Sequence, residues 1–141
     1  MTTSPLADIP IRSAAELTER WFTVIAPPIF IARSLWLLWL GADGRMLPMV
    51  IPIDDVERRP DEGLVAGLLE VHRGIAEQFL DGSGHLALAL CRPGRPEMTE
   101  DDAAWAKELP TELDDQIEGT WSLHLAAGGQ VTELVGRAHW N

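Results

Sequence analysis

The chain has 141 residues, 46% of them apolar, one cysteine and a formal net charge of −11. That length suits one domain with a real core, and a lone cysteine excludes an internal disulfide framework, which points to a cytoplasmic protein. No apolar run reaches the ~20 residues of a membrane span, the N-terminus lacks the basic-then-apolar order of a signal peptide, and the negative charge repels phosphate backbones; neither membrane nor nucleic acid is an expected partner.

Residues 1–11 contain Pro5 and Pro10 and little periodicity, so they read as a loose tail ahead of a single domain spanning 12–141. Ser13, with Glu16 three residues on, predicts a capped helix that carries Leu17, Trp21 and Val24 on one stripe and ends before Pro27-Pro28. The run SLWLLWLGADGRMLPMVIPI predicts a hairpin turning at Asp43-Gly44. In its first strand Leu35, Leu37 and Trp39 face one side and Trp36, Leu38 and Leu40 the other, the pattern of a central strand.

A polar break with Pro60 follows, then a helix with Leu64, Leu68, Val71, Ile75 and Phe79 as its apolar stripe, closed by Asp81-Gly82-Ser83-Gly84. HLALALC is a second doubly apolar strand. The helix opening at Thr99 carries Trp105 and Leu109 and is expected to break at Pro110, with a second short helix starting at Thr111. TWSLHLA and QVTELV form a final hairpin across Gly128-Gly129. Helices alternating with doubly buried strands predict an α/β three-layer sandwich.

Few residues carry obvious chemistry. His72, His85, His124 and His139 never fall two apart or as an i, i+4 pair, so they read as packed or surface histidines. There is no Gly-rich phosphate loop and no Gly-x-Ser-x-Gly elbow, and Cys91 has no histidine near it in sequence. Six tryptophans without a tyrosine read mainly as core, with Trp140 the candidate for an exposed contact. From Glu97 to Glu118 nine acids face one base, Lys107: a solvated helix face, or a docking surface for a basic partner through Glu112, Asp114 and Asp115.

The stretch Pro93-Gly94-x-Pro96-x-x-Thr99-x-x-Asp102, with the element order around it, resembles the RadC-like branch of the JAB/MPN (JAMM) domains over roughly residues 12–135. The resemblance implies a cytidine-deaminase-like fold with a mixed sheet. It also implies a zinc held by a His-x-His pair and an aspartate, with a glutamate on an earlier strand. Here the histidine positions read Leu90 and Arg92, with Cys91 between them, and the glutamate falls near Arg33 or Ser34. Leucine has no ligand atom and a guanidinium stays protonated, so only Asp102 survives. These departures imply a JAB-like scaffold without its metal site and with no cofactor, and the absent ligands, the acidic 97–118 segment and Trp140 together point to a module acting through a protein partner or as a homodimer. Two other readings stand beside it. One is a small-anion pocket using Arg92 and Arg95 beside Cys91 and Asp102. The other is a hydrolase whose metal moved to Cys91, Asp102 and a nearby histidine.

Overall fold

In the computed structural model, which describes residues 9–80 and 82–136, the sequence folds into an open five-stranded mixed sheet with three helices. Chain order is α1 (Ala14–Ile25), β1 (Ser34–Leu40), β2 (Met46–Asp54), α2 (Glu62–Phe79), β3 (His85–Cys91), α3 (Glu100–Leu113), β4 (Thr120–Ala127) and β5 (Gln130–Gly136). The strands lie in the order β2-β1-β3-β4-β5. β1 runs antiparallel to both β2 and β3, β3 and β4 are parallel through the α3 crossover, and β5 returns antiparallel along β4.

Period-two alternation places two cores on the two faces of this sheet. Leu35, Leu37 and Trp39 join Leu86, Leu88 and Leu90 against Val65 and Leu68 of α2 and Trp105 and Leu109 of α3. The other face sets Leu38, Leu40, Ala87, Ala89, Cys91 and Ala126 against Leu17, Trp21 and Ile25 of α1. Small side chains on β3 and β4 let this single helix approach closely. Ser13 caps α1 as expected, its Oγ accepting the Glu16 N–H at 3.1 Å.

Three local expectations are corrected. Residues 9–11 are held, not loose: Ile11 is buried, its N–H donates to Gly44 O at 2.8 Å, and Arg20 donates to Ile9 O at 3.1 Å. Leu64, Leu68 and Ile75 of the expected α2 stripe do pack against the core, but Val65, Leu69 and His72 share that inward face, while Val71 and Phe79 are 38% and 50% exposed. The reason is polar: the buried Trp39 indole needs an acceptor, and its N–H donates to His72 Nδ1 at 3.1 Å. Finally, α3 runs unbroken through Pro110, so no second helix starts at Thr111. Leu109 and Leu113 are both fully buried on its inner face, and continuing the helix keeps both in the core at the cost of one backbone hydrogen bond. Among the described residues no helix is long and apolar enough to cross a membrane.

Candidate functional site

Where β1 begins and β3 and β4 end, Ser34 lies opposite Cys91, and Cys91 beside Ala126. The chain leaves β3 at Arg92 through a Pro/Gly loop that its own backbone cannot saturate. Arg92 does so instead. Its Nη1 donates to Pro93 O at 3.0 Å and Arg95 O at 2.8 Å, and Nη2 to Glu97 O at 2.9 Å. The remaining donors meet Asp102: Nε to Oδ1 at 2.9 Å and Nη2 to Oδ2 at 2.7 Å. All five N–H groups of the guanidinium are thereby engaged.

Asp102 is held just as fully. Thr99 and Asp102 form a reciprocal capping box, with Asp102 N–H donating to Thr99 Oγ1 at 3.1 Å and Thr99 N–H to Asp102 Oδ2 at 2.9 Å. Both members of the ion pair are buried, Arg92 2% and Asp102 0% exposed. Burial acts to raise the Asp102 carboxyl, but the hydrogen bonds from Arg92 and Thr99 outweigh it and hold it below its ordinary range. The β4–β5 turn closes over this loop: a Cβ on Gly128 would run into Pro96, so that position requires glycine.

This geometry bears on two of the sequence readings. Arg92 has no donor left for an anion, and Arg95 contributes its carbonyl inward while its side chain is exposed, so the two do not form an anion clamp. The residues of the relocated metal reading lie on different faces of the sheet. Cys91 belongs to the core on the α1 face, whereas Asp102 opens α3 on the opposite face. Burial pushes the Cys91 thiol up to about 12, far from a thiolate, and its S–H points at Ala89 O, 3.8 Å away. Among the described residues no group of three or more His, Cys, Asp or Glu side chains is placed to hold a metal.

The histidines pack. His85 meets Thr120 Oγ1 at 2.7 Å and Ser122 Oγ at 2.8 Å, and His124 Nε2 meets Thr18 Oγ1 at 2.8 Å. Burial depresses both to about 4, helped at His85 by the proximity of His124. In the acidic segment Glu112 and Asp115 are exposed, whereas Asp114 accepts the Trp121 indole N–H at 2.9 Å and so anchors the end of α3. Trp140 lies outside the described residues. A cavity of about 330 Å³ opens at the other end of the sheet, between His72 and Arg73 of α2 and Gln116 to Thr120.

Sequence reasoning missed a cluster beside the Arg92–Asp102 pair. Arg33, Arg58 and Arg59 all approach one carboxylate, Asp101, at 3.9, 3.6 and 3.3 Å. The adjacent arginines 58 and 59 in a polar break are the one signal the sequence offers for it.

No protein-family model matches the chain, and no curated protein matches it either.

Proposed function

We propose that this chain is a metal-free module on a JAB-like scaffold that works through contacts with other protein chains, either a partner or a second copy of itself. The observation that carries the reading is the Arg92–Asp102 pair. On the RadC resemblance Arg92 corresponds to one of the two histidine positions and Asp102 to the aspartate, and the pair is buried with every guanidinium donor engaged. A catalytic zinc needs three protein ligands and an open position, and this centre offers neither. The strand-turn-strand, helix, strand, capped-helix order supports the scaffold assignment. The exposed acids of α3 and the segment after it, Glu108, Glu112, Asp115 and Glu118, offer a charged contact surface suited to a basic patch on a partner.

Two measurements on one preparation test this. Protein purified without chelator or affinity-tag metal is expected to carry far less than one zinc per chain by elemental analysis. Light scattering after size exclusion, with a pull-down on the native lysate, is expected to give a dimer or a specific complex. One zinc per chain, or a strict monomer that retains nothing, would remove the proposal.

A further inference from the structure

We propose that Arg33, Arg58 and Arg59 form a binding site for a phosphate-like oxyanion, with Asp101 standing in for it in the unliganded chain. This inference is independent of whether the protein works through partners. Its first support is charge. Three guanidinium groups approach a single carboxylate in a chain whose overall charge is −11, so these four side chains together carry two positive charges more than they neutralise.

Its second support is geometry. Only Arg59 reaches hydrogen-bond distance, its Nε 3.3 Å from Asp101 Oδ1, while Arg33 and Arg58 stop at 3.9 and 3.6 Å from Oδ2. A carboxylate offers about four acceptor sites, fewer than the donors of three guanidinium groups, whereas a tetrahedral oxyanion presents more acceptors in more directions. Arg33 has donor capacity to spare: its Nη2 is the atom that approaches Asp101, at 3.9 Å, and its Nη1 is buried with no hydrogen-bond partner. Turning that group toward an incoming oxygen sacrifices no existing Nη1 hydrogen bond, and the unmet donor gains one.

Its third support is preorganisation. The fully buried Trp105 donates its indole N–H to Arg58 O at 2.8 Å, fixing the loop that presents Arg58 and Arg59. Asp55 N–H donates to Arg33 O at 3.0 Å, fixing the entry to β1. Asp101 sits on the first turn of α3, which the Thr99–Asp102 capping box holds rigid. The arginine side chains therefore extend from anchored backbone, with Arg58 and Arg59 themselves 77% and 59% exposed and able to close on a ligand.

The test follows arginine Nε–H resonances of the full chain during titration with inorganic phosphate, pyrophosphate or acetate at matched ionic strength. Saturable shifts confined to Arg33, Arg58 and Arg59 are expected with phosphate and pyrophosphate and not with acetate. Asp101→Asn, which removes the internal competitor, is expected to tighten phosphate binding by about ten-fold, and Arg58→Gln/Arg59→Gln to weaken it by a similar factor. Both substitutions lie at the rim, so folding can be confirmed from the same spectra. Shifts that merely track ionic strength, equal shifts with acetate, or an Asp101→Asn variant that binds phosphate no better than the parent would overturn the proposal.

Discussion

Arg92 occupies a position where the family resemblance asks for a metal ligand, and it acts instead as the clasp of its own loop. Its inability to bind a metal was legible from side-chain chemistry alone. Its actual partners were not, because three of them are backbone carbonyls, Pro93, Arg95 and Glu97, which no residue pattern announces. The buried histidines make a second residue-scale point. His85 and His124 fold with values near 4 against an ordinary 6.5, so between those limits the unfolded chain binds more protons than the native one. Stability is therefore complete above about pH 6.5 and falls as the pH drops toward 4, by roughly 3 kcal/mol per histidine. Urea unfolding at pH 7 and pH 4.5 is expected to show that loss, and His124→Asn to shrink it. An identical pH dependence in parent and variant would refute the assignment.

At the scale of elements, the strands were read more accurately than the helices. A strand's faces follow from parity, and β1 divides as its alternation requires, Leu35, Leu37 and Trp39 to one core and Leu38 and Leu40 to the other. A helical stripe drawn from apolar residues alone goes wrong where a polar residue faces inward. His72 is that residue on α2, and counting it brings Val65, Leu69 and His72 onto the inner face beside Leu68. Leu68→Ala is accordingly expected to cost about 2–5 kcal/mol and Val71→Ala no more than about 0.5 kcal/mol in urea unfolding. Equal costs would restore the apolar stripe. Pro110 misled for a related reason: local propensity predicts a break, but the burial of Leu109 and Leu113 on one face outweighs one missing hydrogen bond.

For the whole molecule, alternation of helices and doubly apolar strands was enough for an α/β sandwich, while the strand order needed the pairing itself. The site near Asp101 could not be read from sequence at all, since Arg33, Arg58-Arg59 and Asp101 come from three separate segments that only the sheet and the α3 crossover bring together. The same topology leaves β2 as an outer strand, with Pro48 and Pro52 both exposed and four residues apart on the same side. A proline nitrogen cannot donate, so the pair removes donors from that open edge and discourages strand addition. Replacing both with threonine is expected to produce concentration-dependent association in light scattering; a variant indistinguishable from the parent would show that the edge is protected by other means.

The polar centre ties these scales together, because one ion pair joins the end of β3, the loop after it and the start of α3. Its role is tested most directly by the unfolding free energy of Arg92→Ala in urea at pH 7, with Arg95→Ala as the exposed neighbour. Removing Arg92 strands a buried Asp102 and three loop carbonyls, so a loss of about 3–5 kcal/mol is expected, against about 0.5 kcal/mol or less for Arg95→Ala. A loss below about 1 kcal/mol for Arg92→Ala would contradict the account.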